Sequence, residues 1–294
     1  MENPMKLKSM AVLFVLTLTL SNSVFADQAA VITSQIIVSK PVKILTFGVL
    51  PQQSARVLAK LWTPIIQYLG SKTGLHIRFS TAKDIPTFER RLLAGEYDIA
   101  YMNPYHFTVF NLNPGYQAIA KEAKKTIKGI IVVHKDNPIQ NISELYGATV
   151  AFPAPAAFAA SVLPTSKFSA LGILIMPKYV LSHGSVYLSV ARGFFPAGGG
   201  VKRTFDNTPK NIRDKLKIFW QTPGYTPHAI AVHPRLNADT VANIQQVLLN
   251  MKKTQQGKQL LASVKFKELG VAKNSDWDDV RALNIKALVR LMKE

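Results

Sequence analysis

The chain of 294 residues contains no cysteine. Disulfides, zinc–thiolate sites and thiol nucleophiles are therefore excluded, and so is a lipid anchor on an N-terminal cysteine. Acidic residues are scarce, with 17 Asp and Glu against 36 Lys and Arg for a formal charge of +19. Such an excess attracts anions, anionic lipid head groups or nucleic acid. Nucleic acid is disfavoured because the basic residues are spread along the chain rather than interleaved with aromatics in one run. No two of His76, His106, His134, His183, His228 and His233 stand at the i, i+4 spacing of a helical metal site. A Gly-x-Ser-x-Gly elbow and a dinucleotide fingerprint are also lacking. The sequence thus assigns no catalytic residue, no metal and no cofactor, and a binding protein is preferred to an enzyme.

The one long apolar run is at the start. Lys6 and Lys8 precede Met10–Leu20, and Val24-Phe25-Ala26 follows a short polar stretch. This is the pattern of a cleavable secretory signal, with a cut after Ala26 and a periplasmic mature protein. Residues 27–40 read as a leader without a helical period.

Beyond it, strand and helix patterns alternate. Val42–Leu50 alternates as a strand. A helix follows with Val57, Leu58, Leu61, Trp62, Ile65 and Leu69 inward, and Pro64 is expected to kink or split it. Leu75–Phe79 is a second strand, and Asp84 caps a helix with Ile85, Phe88 and Leu92 on its apolar face. This alternation predicts an α/β fold with a mostly parallel sheet.

The stretch Gly95–Phe107 then runs from a short buried strand into a helix. Tyr101, Asn103, Tyr105 and His106 gather at the carboxyl end of that strand, where ligands of open α/β sheets bind. Asp98-Ile99-Ala100-Tyr101 followed by Asn103-Pro104-Tyr105 resembles a segment of the phosphate/phosphite/phosphonate substrate-binding proteins of ABC transporters, the PhnD-like family. Pro64, Tyr68 and Leu69 resemble that family's first helix. The family's Asp-Tyr turn is represented here by Asp84-Ile85, without the tyrosine.

The resemblance implies a type-II periplasmic binding protein, two α/β lobes joined by a two-crossing hinge. Lobe 1 is expected from residues 41–125 and 228–294, and lobe 2 from 129–221. It also implies a ligand loop at Pro153–Ser161, similar to the family's Asp-Pro-x-Ser-Thr-Ser-Gly, where helix-start amides and hydroxyls hold an anion. Here Ala156, Ala157, Phe158 and Ala159 keep the amides and lose the hydroxyls, and Ala154 replaces the acid. His183-Gly184-Ser185 is similar to the family's Gly-Ser-His segment.

The ligand-binding set implied is Tyr101, Asn103 and Tyr105 from one lobe, with Ala156, Ala157, Phe158, His183 and Ser185 from the other. The implied activity is capture of a small, phosphate- or phosphonate-like anion by a monomer that serves an ABC permease. A sensor that signals to a membrane receptor or kinase, with a different ligand, is the alternative. Ala197-Gly198-Gly199-Gly200 lacks phosphate-loop spacing and reads as a strand whose backbone passes close to other backbone. Ser275 is expected to start a last helix, with Asp276, Asp278 and Asp279 at its positive end.

Overall fold

The computed structural model describes residues 43–288, so the expectations for the signal and leader at 1–40 lie outside the described residues. The chain begins in a first lobe with β1 (Ile44–Val49), α1 (Ala55–Thr73), β2 (His76–Ser80), α2 (Ile85–Leu93), β3 (Ile99–Met102), α3 (Pro104–Phe110) and β4 (Gln117–Glu122). It crosses through 123–128 to a second lobe of β5 (Gly129–His134), β6 (Thr149–Phe152), a wide π-helical turn (Phe158–Val162) continued as α4 (Leu163–Ala170), and β7 (Met176–Tyr179). That lobe continues with α5 (His183–Ala191), β8 (Ala197–Val201), α6 (Lys202–Asp206), α7 (Lys210–Arg213) and β9 (Leu216–Gln221). Residues 222–228 cross back to β10 (Ala229–Val232), α8 (Ala238–Asn250), α9 (Gln255–Ser263), β11 (Leu269–Val271) and α10 (Asp278–Arg281).

The six-stranded sheet has the order β11-β4-β10-β3-β1-β2, and the five-stranded sheet β7-β6-β8-β5-β9. Both are mixed rather than mostly parallel. β1 pairs in parallel with β2 and β3, as the intervening helices α1 and α2 require. β10 runs antiparallel to β3 and β4, and β5 antiparallel to β8 and β9. These two strands enter their sheets directly from the interlobe crossings. They are free of the covering-helix connection that makes neighbours parallel.

Local chemistry accounts for the element ends. The Asp84 carboxylate accepts from the Thr87 N–H (2.8 Å) and starts α2. Gly74, at φ 72, ends α1 in the left-handed conformation that glycine adopts without penalty. Pro64 lies inside α1 without splitting it. Its ring leaves the Lys60 carbonyl without an N–H partner, and Lys60 is exposed, so water can satisfy the group.

Three details depart from the helical patterns. Val57 is on the outer face of α1, and Phe194, expected inward with Val186 and Val190 on the helix after His183, is exposed beyond the end of α5. The predicted last helix is a tight turn, Asn274–Trp277, followed by the short α10. Its aspartates are used singly. Asp276 lies 2.9 Å from Lys121, Asp278 2.7 Å from Arg281, and Asp279 accepts from the Thr226 N–H at 2.7 Å.

Candidate functional site

The carboxyl ends of β1 and β3 face the start of the helix after β6, and a small cavity of ≈ 10 Å³ lies where they meet. Gln52, Asn103 and His228 approach it from the first lobe, and Ala157–Ala160 and His183 from the second.

Two bare strand backbones set the position of the helix start. A Cβ at Gly129 would stand 2.0 Å from the Ala159 carbonyl oxygen, and one at Gly199 2.0 Å from that of Ala160. Only glycine lets the π turn press this close to β5 and β8, whereas Gly198 and Gly200 make room for Val186 and Tyr187 of α5. The N–H groups of Ser161 and Val162 both donate to the Ala157 carbonyl (2.7 and 3.3 Å). The earlier amides, at Phe158, Ala159 and Ala160, begin a helix and have no carbonyl one turn back to meet.

Asn103 caps α3, where its Oδ1 accepts from the His106 N–H at 2.7 Å. Its Nδ2 donates across the cleft to the Ala156 carbonyl at 3.2 Å. The His183 N–H likewise donates to the Gln52 carbonyl at 3.2 Å. The third link is ionic. Arg203 donates to the Tyr101 hydroxyl oxygen (2.7 Å) and to the Glu122 carboxylate (3.0 Å), with Glu122 and Tyr101 only 5% exposed.

The imidazoles of the site are neutral. Burial lowers the pKa of His183 to about 3, and its Nδ1 meets the Thr204 hydroxyl at 3.0 Å. His228 is pushed well below the usual histidine range by burial, and then by the charge of Arg203. Its ring stacks on Tyr101 with centroids 4.9 Å apart. Gln52 Nε2 lies 3.2 Å from His228 Nε2, whereas His228 Nδ1 is buried with no partner. With the Gln52 amide donating, the Nδ1 of the neutral ring carries a proton that no protein group accepts. Tyr101 is raised to about 12, by burial first and against the pull of Arg203, so its hydroxyl stays protonated.

The structure thus gathers Asn103, Ala157, Phe158 and His183 around one cavity, with Ala156 bonded to Asn103 just beside it. Tyr101 stands one layer away, against His228 and Arg203. Tyr105 is not brought to the cavity: its hydroxyl oxygen accepts from the Leu288 N–H at 2.9 Å in the core of the first lobe. Ser185 is exposed and pairs with Ser182 at 2.9 Å. His106 is fully buried against Glu89, 2.9 Å away.

Sequence reasoning missed Gln52, His228 and Arg203. Gln52 follows β1 as Asn103 follows β3, so the rule about strand ends that selected Asn103 also points to Gln52. His228 and Arg203 carried no local signal, because their partners are 81 or more residues away in the chain.

Comparison with known proteins gives a consistent result. The family described as "ABC transporter, phosphonate, periplasmic substrate-binding protein" matches residues 47–277. The phosphonates-binding periplasmic protein of Escherichia coli is 24% identical over 86% of this chain and 77% of its own length. The phosphate-import protein PhnD of Mycolicibacterium smegmatis is 21% identical over 68% of this chain and 70% of its own. Among solved structures, PhnD1 of Prochlorococcus marinus in complex with methylphosphonate superposes with a TM-score of 0.75 at 20% identity. That match covers 86% of this chain and 99% of that protein.

Proposed function

We propose that this chain, which belongs to the phosphonate periplasmic substrate-binding proteins of ABC transporters, captures a small oxyanion-type solute between its lobes and delivers it to a membrane permease. The relatives support the class of solute through the phosphate, phosphonates and methylphosphonate in their descriptions. The observation that carries the reading is the convergence of buried polar groups from both lobes on one cavity, with the Nδ1 of His228 left without a partner. A buried donor costs free energy until something accepts from it, and an oxygen of a solute would do so.

The same geometry narrows the solute. Both imidazoles are neutral, and the Arg203 charge is already matched by Glu122, so the cleft offers hydrogen bonds rather than net positive charge. The hydroxyls of the family loop are replaced by Ala157, Phe158 and Ala159, each missing donor being worth about 1.5–3 kcal/mol when the acceptor is charged. An oxyanion of low charge with an apolar part is favoured over a phosphate dianion. A solute of that size must part the lobes beyond the ≈ 10 Å³ present here, exchanging the Asn103–Ala156 and Gln52–His183 bonds for its own. Its contacts with both lobes then govern hinge closure.

Calorimetry with inorganic phosphate, methylphosphonate and dimethylphosphinate tests this directly. Dimethylphosphinate, a monoanion with two methyl groups, should bind at least about tenfold more tightly than phosphate, which corresponds to one lost charged hydrogen bond. Asn103→Ala should weaken it, and scattering should show a radius of gyration that differs with and without solute. Phosphate binding as tight as that of dimethylphosphinate would return the protein to ordinary phosphate capture. An unchanged radius would remove the hinge from the account.

A further inference from the structure

A second cavity lies on the hinge side of the molecule, with a volume of ≈ 490 Å³. Six cations border it: Lys125 and Lys128 from the first crossing, Lys202 and Arg203 from the second lobe, and Lys265 and Lys267 from the segment after α9. Two carboxylates face them. Glu122 pairs with Lys125 (2.9 Å) and Arg203 (3.0 Å), and Asp206 with Lys202 (2.7 Å). Lys128, Lys265 and Lys267 form no ion pair among the described residues. The walls between the cations are apolar, made by Ile127, Val201, Pro227 and Phe266.

Like charges around a concave, low-dielectric wall repel one another and focus a positive potential into the space they enclose. An anion placed there relieves that repulsion, and an apolar body attached to it covers the wall. The volume falls in the range of pockets for small organic ligands and far exceeds the size of a simple oxyanion. The cations belong to both lobes and to the crossing, so an occupant would touch every part that moves when the hinge bends.

We infer that the hinge-side cavity is a binding site for an organic anion, a phosphate or sulfonate head joined to an apolar, ring-sized body, separate from the alanine-lined cleft. The site takes its head-group affinity from Lys128, Lys265 and Lys267 and its selectivity from the apolar wall. The inference stands independently of which solute the cleft takes.

The probe is 1-naphthyl phosphate, titrated calorimetrically into the full chain beside inorganic phosphate and 1-naphthol. It should bind at least about tenfold more tightly than either half alone, because head and body act together. Lys128→Gln with Lys265→Gln should weaken it about tenfold or more, the loss expected when charged hydrogen bonds are removed. Both residues are exposed, so the fold does not depend on them. Lys210→Gln removes a similar charge from a surface pair with Asp214 outside the cavity and should leave binding within about twofold. Absence of binding, equal binding of inorganic phosphate, or an equal loss in Lys210→Gln would each overturn the site.

Discussion

The two cavities between the lobes are opposites in chemistry. The cleft at the strand ends encloses ≈ 10 Å³, is lined by alanines, Phe158 and neutral imidazoles, and is bridged by direct bonds between the lobes. The hinge-side cavity is nearly fifty times larger by volume, cationic, and spanned by ionic contacts such as Arg203–Glu122. A net charge of +19 therefore does not describe the surroundings of a ligand. Six of the cations border the hinge-side cavity, while the predicted capture loop is apolar. Charge and family position point to different places in the same molecule.

Removing the bulk that fills the cleft is the most forceful way to break this contrast. Phe158 is 1% exposed and packs edge-on against Tyr225, with ring centroids 5.6 Å apart. Phe158→Ala should cost about 3–5 kcal/mol in urea unfolding, the usual result of deleting a buried aromatic ring. It should also give the cleft a void that admits a larger solute. A loss below about 1 kcal/mol would mean that the ring fills no tightly packed space.

Acid acts next, through the buried imidazoles of the cleft. His183 has a folded pKa of about 3 against 6.5 unfolded, so the unfolded chain binds the proton that the folded one refuses. Stability is thus unaffected above pH 6.5 and falls as pH drops from 6.5 toward 3. At pH 4.5 the deficit from this residue is about 2–3 kcal/mol, at 1.36 kcal/mol per pH unit. His228 adds to it in the same direction. Denaturant midpoints across this range should show the slope, and His183→Gln should flatten it. A slope unchanged in that variant would place the acid sensitivity elsewhere.

The smallest effect belongs to the hinge-side cavity. Lys267→Gln removes one of several mutually repelling, solvated charges and should raise stability by about 0.2–0.5 kcal/mol at low ionic strength. Added salt should erase the gain, because exposed charges are screened within about 10 Å. A stabilisation that survives in high salt would argue for a packing effect instead.

Much of the fold was legible because it is written locally. The caps at Asp84 and Asn103, the stop at Gly74 and the alternation of apolar residues locate most elements of the first lobe. Antiparallel β5 and β10 were not legible. Strand direction after a crossing depends on where the chain returns in space, and nothing in Gly129–His134 or Ala229–Val232 encodes that. The site divides in the same way. Asn103, Ala157, Phe158 and His183 lie at strand ends and helix starts; the rule about strand ends points to Asn103, and the family resemblance to the other three. Tyr105 has the same sequence address as Asn103, but two residues along a helix turn its ring through more than half a circle, into the core against Leu288. Arg203 and His228 have meaning only through Glu122, Tyr101 and Gln52, which folding brings together from distant segments.

The glycines under the helix start have a further effect on how the site can vary. The segment from Phe158 rests on the bare backbones of β5 and β8, so its place is decided from beneath by Gly129 and Gly199 rather than by what it presents to the cleft. Side chains on the cleft face are therefore a replaceable facing on a fixed foundation. Serines, threonines or alanines can be exchanged there while the amides stay where they are. A lineage of such proteins can alter what it grips by changing three or four residues, provided that the two strands below remain unclothed.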